Sequence, residues 1–385
     1  MPIAQLPSFV ILAAVSLWLS GGTSAAMRAS QQLSTRSESI RLAASLVTTA
    51  PMSAPRASHT ATTLGDGRVL VTGGFPNVQN AAQGAEVYDA ATERYSALPR
   101  MVTLRHSHTV TLLPGGKVLL AGGYAAGTTT LTAAELFDPV TNTFVATGSL
   151  RAPRAGHIAV LLSNGKVLIA GGIGPDWTFL SSAELYDPAT GTFSVTGAMT
   201  VARESHVAVR LADGRVLIAG GHRGRRADIT LYASAETYDA TTGTFSSVGN
   251  MRVRRHKHDG VLLRDGRVLI TGGSDERDDR GVYNSTEFFD ARTNAFTSGP
   301  LLKHPRYKHN GTGTLLPNGG VVLAGGAAQA ETFDPRSNSF STVDGVARMA
   351  GQFSAAALLS GGRILVTGGY GNGTGPRASS WLYRP

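Results

Sequence analysis

Seven times along this chain an apolar run ends in Gly-Gly, at Gly73, Gly122, Gly171, Gly220, Gly272, Gly325 and Gly368. The intervals are 49, 49, 49, 52, 53 and 43 residues. Self-similarity near 50 residues restricts the chain to architectures in which one small unit is copied and each copy buries its faces against its neighbours. The copy around Gly171 reads "RAGHIAVLLSNGKVLIAGG", a variable loop, then "SAELYDPATGTFSVTGAM". It divides into four strands. "HIAVLL" runs through Asn164-Gly165, a two-residue hairpin signal, into "KVLIA". "KVLIA" is apolar at nearly every position, as a strand covered on both faces must be. "AELYD" follows, Asp187-Pro188 and Gly191 turn the chain, and "TFSVTG" completes the unit. With 47 glycines and only 16% charged residues, the composition suits tight turns between strands better than helices.

The seventh copy stops one strand short, at "SSWLYRP". The missing strand is at the other end: "SLVTTAPM", from Ser45 to Met52, aligns with "FSVTGAM". We expect Ser45–Thr49 to pair with Leu382–Tyr383 and close a ring, because an open ring would leave an unpaired apolar edge. Four-stranded units of this length, with Gly-Gly and then an aromatic on the last strand, resemble kelch repeats, and the resemblance covers roughly Leu46 to Pro385. It implies an all-β, seven-bladed β-propeller of four-stranded blades, the last closed by the N-terminal strand. The usual tryptophan of the last strand is Tyr95, Phe144, Phe193, Phe245, Phe296 or Phe340 here, and any large aromatic can fill a gap between blades. Leu46 takes that place in the seventh blade.

Ahead of the repeats, "LPSFVILAAVSLWLS" is an apolar run of signal-peptide length, and "GGTSAA" supplies small residues for cleavage near Ala26. Residues 1–26 are expected to be an export signal, 27–44 a linker and 45–385 the propeller. The run is short for a membrane span, and no later segment is long and apolar enough to be one. A secreted or periplasmic monomer is expected. The absence of cysteine excludes disulfides, thiol nucleophiles and Cys-ligated metals.

Arg-x-x-His recurs at Arg56/His59, Arg105/His108, Arg154/His157, Arg203/His206, Arg255/His258 and Arg306/His309. The same six copies carry a Glu on the third strand and then a turn Asp, as in Glu184 and Asp187. Copy seven has Gly351, Ser354, Trp381 and Arg384 at these places. Joint loss suggests that the four act together, so Arg154, His157, Glu184 and Asp187 are assigned to the blade rather than to catalysis. We expect a buried Arg–Glu ion pair with a satisfied imidazole beside it. The rival reading is a ring of imidazoles able to bind a metal or an anion.

The kelch units also resemble those of galactose oxidase and glyoxal oxidase, where the family places a copper-ligating His directly after a Tyr ligand. Here Ser58, Ser107, Gly156, Ser205, Lys257 and Lys308 precede the six histidines, and the cross-linked Cys–Tyr cofactor of that family has no Cys to form from. A copper-radical oxidase is therefore not expected, and neither a metal nor another cofactor is assigned.

Loops on one face are short and uniform, while those on the other differ from copy to copy. Variable loops on a regular scaffold are where recognition is carried. Basic residues gather there: "HRGRR" in copy four, "MRVRRHKHD" leading into copy five and "LLKHPRYKHN" leading into copy six. With a formal net charge of +9, an anionic partner is expected at Arg225, Arg226, Arg254, Lys257 and Lys308, with Tyr307 placed for stacking. The "DERDD" stretch of copy five offers internal pairing to the same surface, and its acidic spacing does not fit a calcium loop. Walker, Rossmann, zincin, Gly-x-Ser-x-Gly and nucleic-acid-binding patterns are not found. The reading is a non-catalytic exported module that binds a protein or glycan ligand, anionic or carbohydrate in nature. The alternative is a carbohydrate-active enzyme, an epimerase, lyase or hydrolase, with its site in the propeller mouth.

Overall fold

The computed structural model describes residues 44–75, 84–345, 349, 351–371 and 373–385, without the side chain of Arg226. The expected export signal and, Ala44 apart, the expected linker lie outside the described residues.

Among the described residues six sheets follow one another as antiparallel meanders of four strands, a seventh combines Ala355–Leu358, Ile364–Thr367 and Ser380–Arg384 with the N-terminal Ser45–Thr49, and a two-stranded ribbon, His222–Arg223 with Thr230–Leu231, stands in a loop of the fourth blade. In the third, Ile158–Leu161 pairs with Val167–Ala170, that strand with Ala183–Asp187, and the last with Thr192–Val195. Second strands such as Val69–Thr72, Val118–Ala121, Val167–Ala170 and Val216–Ala219 are buried at every residue. The period of two explains why. Val167 and Ile169 pack with Leu119 and Ala121 of the preceding blade, whereas Leu168 and Ala170 pack with Val216 and Ile218 of the following one. Each apolar second strand thus serves two seams, and no face is left for solvent.

The outer parts of the seams are filled by aromatics from the third and fourth strands of one blade. Tyr186 pairs across the sheet with Phe193, ring centroids 4.8 Å apart, and Tyr238 with Phe245 at the same spacing. The Tyr hydroxyls also reach the previous blade, as in Tyr186 to Thr147 at 3.0 Å and Tyr238 to Thr196 at 2.8 Å.

Ring closure follows the expected register. Ser45–Thr49 runs antiparallel to Ser380–Arg384, with Leu46 opposite Tyr383 and Val47 opposite Leu382. Leu46 is 1% exposed and sits in the core shared with blade six. One feature was not legible in the repeats: Asp344–Gly345, leaving blade six, pairs in parallel with Ser45–Leu46 and covers the start of the closing strand's free edge. No helix among the described residues is long and apolar enough to cross a membrane.

Candidate functional site

The repeated Arg, Glu, His and Gly-Gly form the wall that a site is built on. In each of the six regular blades the Arg guanidinium meets the Glu carboxylate, at 2.9 Å for Arg154–Glu184 and 2.8 Å for Arg105–Glu135, with both side chains buried. The same guanidinium donates to the carbonyls of Gly171 and Ser182, and the second carboxylate oxygen of Glu184 accepts the Arg151 N–H at 2.7 Å. The pair therefore ties the second strand, the third strand and the chain crossing from the previous blade. These bonds meet the terminal guanidinium nitrogens and both carboxylate oxygens, while Nε of Arg154 stays buried without a partner among the described residues.

The histidines explain the glycines. A Cβ on Gly122 would lie 2.7 Å from Cε1 of His157, and one on Gly171 at the same distance from Cε1 of His206. In the six regular blades the imidazole wedges against the first glycine of the blade before it, whereas Gly325, ahead of blade seven, faces Thr312. A Cβ on the second glycine, Gly123, would meet Cβ of His108 in its own blade at 2.8 Å. Burial keeps these rings neutral, with His59 and His157 pushed down to about 3, their neighbouring arginines adding to the effect. Nε2 of His59, His108 and His309 bonds Thr367, Thr72 and Thr271, the residues just before the neighbouring Gly-Gly, and that of His157 bonds Thr109. Where the matching residue is Ala170 or Ala219, Nε2 of His206 or His258 has no partner among the described residues, and Nδ1 of all six repeated histidines is buried without one, so the expected satisfied imidazole is met at one nitrogen in four blades and at neither in two. Asp187 also departs from the expected foursome. It lies three residues along the strand from Glu184, accepts the Ala189 N–H at 2.9 Å and pairs with Lys166 at 3.0 Å, shaping the far turn.

The residue before each histidine lines the central channel. Ser58, Ser107, Gly156, Ser205, Lys257, Lys308 and Phe353 all adopt the left-handed conformation, with φ between 50° and 60°. Six of their N–H groups donate to the carbonyl of the counterpart one blade back, as in Ser107 to Ser58 at 3.0 Å and Lys308 to Lys257 at 2.8 Å. This ring of backbone bonds offsets a conformation that costs a non-glycine residue ~1 kcal/mol or more. It also brings three serines, two lysines, a phenylalanine and a glycine to the wall of one cavity of about 670 Å³.

That cavity has two unlike sides. Rings follow one another around blades seven, one, two and three, Phe353, Tyr370, Phe75, His106, Tyr124 and Trp177, with successive centroids 5.8, 6.5, 5.3, 5.3 and 6.3 Å apart, and Phe353, Tyr124 and Trp177 of this series line the cavity. Blades four to six present charge. Glu204 Oε2 is 3.4 Å from His222 Nε2, and His222 Nδ1 is 3.2 Å from His256 Nδ1. Lys257 Nζ donates to Asp278 at 2.8 Å, and Lys308 Nζ lies 3.5 Å from the other oxygen of the same carboxylate. Burial pushes the Glu204 carboxyl up to about 7, against the pull of Lys257 and Arg225. Burial lowers His222 to about 4 and His256 to about 3. When protonated, Glu204 can donate to Nε2 of His222, whose Nδ1–H then donates to His256. Burial also works to raise Asp278, but the two lysines prevail and hold it below the usual carboxylate range.

Asp259, on the first strand of blade five, accepts the N–H groups of Gly311, Thr312 and Gly313 at 2.9, 3.0 and 2.7 Å. It anchors the two residues by which blade six exceeds the repeat at this point, and these place Asn310 and Gly311 on the cavity wall.

The basic residues singled out in the sequence divide. Arg225, Lys257 and Lys308 share the cavity, and the Arg225 guanidinium stacks 3.2 Å from the centroid of Trp177. Arg226 begins the short turn Arg226–Asp228. Arg254 points away, its side chain 62% exposed beside Glu276, and is not part of the wall. Tyr307 is only 4% exposed and lies beneath the Lys308 ammonium, so it offers no open face for stacking. Trp177, with the Arg225 guanidinium over one face, and Phe353 are aromatics of the cavity wall. Glu204, His222, His256 and the aromatic arc were missed, while the internal pairing expected of "DERDD" is made by Asp278 with Lys257 and Lys308. The signal was in the repeats: the residues just after the Arg and just after Gly-Gly change from blade to blade while their neighbours stay constant.

The residues present do not fit a copper centre of the oxidase kind. No Tyr precedes a channel histidine, the chain has no Cys, the six repeated imidazoles lie in the seams, and no group of three His, Asp or Glu side chains among the described residues is placed to hold an ion.

The Kelch motif model matches residues 154–200. Among solved structures, the chain is similar to a novel fungal alcohol oxidase with catalytic diversity among the AA5 family, in complex with copper. The identity is 16%, the TM-score 0.70, and the match covers 87% of this chain and 75% of that one. No curated protein matches the chain.

Proposed function

Because the chain is a kelch-repeat β-propeller with a two-sided channel mouth, we propose that it is an exported monomeric binding module that holds an anionic carbohydrate in that mouth. The observation that carries this is the cavity of about 670 Å³ whose wall holds both aromatics, Tyr124, Trp177, Phe179 and Phe353, and cations, Arg225, Lys257 and Lys308. Aromatic faces match the apolar faces of a sugar ring, and a few placed charges fix its orientation. A concave cavity of this size suits a sugar residue or chain end better than a flat protein surface. Titration with hexuronic-acid oligosaccharides and their neutral counterparts tests the reading. Trp177→Ala is expected to weaken binding about tenfold, the loss of ~1.4 kcal/mol of stacking, at an unchanged melting temperature. Equal binding by Trp177→Ala and the parent refutes it.

Catalysis on the same ligand is a second reading, favoured by Glu204. A carboxyl near 7, in contact with an imidazole and on the cavity wall, can give and take a proton at neutral pH. Glu204→Gln would then abolish turnover while binding persists. Fold likeness does not choose between the readings.

A further inference from the structure

We propose that the space between Lys257 and Lys308 is a carboxylate-binding site, occupied by Asp278 in the free protein and taken over by the carboxylate of a hexuronic acid on binding. This deepens the carbohydrate reading and rests on it for the identity of the ligand. The two lysines hold the same position in adjacent blades, and the Lys308 N–H bonds the Lys257 carbonyl at 2.8 Å. Their side chains converge, and they are only 18% and 13% exposed. Two neighbouring, largely buried ammonium groups need a counter-charge. Asp278 supplies it, at 2.8 and 3.5 Å.

The donor of that carboxylate is a loop rather than the scaffold. Asp278 is 38% exposed, begins a three-residue turn and has a φ of 57°, unfavourable for a non-glycine residue. The loop has other ties. Arg277 grips the Asp275 carboxylate, and the Asp275 N–H bonds the Gly281 carbonyl at 3.0 Å. The Asp278 side chain can therefore swing out while the loop stays in place. Lys308 keeps further acceptors, Gln352 Oε1 at 3.3 Å and the Tyr370 hydroxyl at 3.5 Å, so it stays positioned during the exchange. Its ammonium is 5.6 Å from the centroid of Phe353, an aromatic of the cavity wall. A pyranose lying against Phe353 would carry its carboxylate toward the two lysines. A neutral sugar would leave Asp278 where it is.

Calorimetric titration with glucuronate and with glucose tests this on the parent and on Asp278→Asn, Lys257→Met and Lys308→Met. If Asp278 holds the lysines about nine-tenths of the time, removing its charge tightens glucuronate about tenfold. Glucose should not respond, and either lysine variant should lose glucuronate. Asp278→Asn that binds glucuronate no better than the parent, including no binding by either, overturns the proposal. So does an oligoglutamate peptide that Asp278→Asn binds more tightly than glucuronate. A measurement on the unaltered protein guards against a folding defect: glucuronate should shift the Nζ resonances of Lys257 and Lys308, and unmoved resonances overturn the site. If Asp278→Asn tightens glucuronate but the parent binds no oligosaccharide, the site stands and the carbohydrate reading falls. If the parent binds oligosaccharides and Asp278→Asn changes nothing, the converse holds.

Discussion

Acid should unfold this propeller well above the pH at which ordinary exposed carboxylates protonate. Nine histidines, His59, His106, His108, His157, His206, His222, His256, His258 and His309, are held below their usual range chiefly by burial. Their folded values are depressed, so the unfolded chain binds protons below about 6.5 while the folded one does not. The stabilising effect of neutral rings is complete above that pH and is lost as pH falls. Between pH 7 and 5.5 each ring costs a little over ~1 kcal/mol, on the order of 11 kcal/mol for the nine together. Glu204 and Asp259 act in the opposite sense, because burial raises them to about 7 and about 6 and the fold takes up their protons first. They return ~2 kcal/mol over the same interval. The net loss of about 9 kcal/mol is comparable with the whole stability of an ordinary domain. Urea melts followed by circular dichroism at half-unit steps from pH 7.5 to 5 should show a falling midpoint and cooperative unfolding between about pH 5 and 6. Equal stability at pH 7 and 5.5 would mean that the rings protonate in the folded state, and the assignment of neutral imidazole wedges would fail.

Three further outcomes follow from the blade. Glu184→Gln strands the Arg154 guanidinium without a counter-charge and should cost ~3 kcal/mol in a urea melt, leaving ligand affinity unchanged. Gly122→Ala places a Cβ 2.5 Å from the Arg154 carbonyl oxygen at a φ of 60°, whereas Gly127→Ala, at a φ of 68°, meets nothing within 4 Å. The first should cost well over ~2 kcal/mol and the second ~1 kcal/mol, and equal costs would refute the imidazole-and-carbonyl packing. Removing residues 1–51 takes away the strand that pairs with Ser380–Arg384, so the melting temperature should fall sharply and aggregation should rise, and an unchanged melt would contradict closure by that strand.

The repeats by themselves determined the blade, the blade count and the closing strand. Each of these depends on patterns that recur: alternation along Val167–Ala170, the turn at Asn164-Gly165, and the missing strand of copy seven answered by Ser45–Thr49. The Arg154–Glu184 pair was legible for the same reason, since its partners disappear together in copy seven. The site was not, because it is made of what fails to recur. Glu204 and His222 are 18 residues apart in sequence, and His256 is a further 34 along, yet the ring sets them side by side. Lys257 and Asp278 read as opposite charges on separate loops and become one ion pair only when blade five folds its loop over the channel. Composition marked this surface as basic, but tertiary structure decided which cations it exposes. Arg254 turns outward to Glu276, Tyr307 is covered by Lys308, and Trp177 and Phe353 are aromatics of the cavity wall. The physical reason is geometric. Period and polarity specify how a strand pairs, whereas a channel mouth is specified by residues that vary from blade to blade, Ser, Gly, Lys and Phe at one place, and that a common left-handed backbone turn brings to one centre.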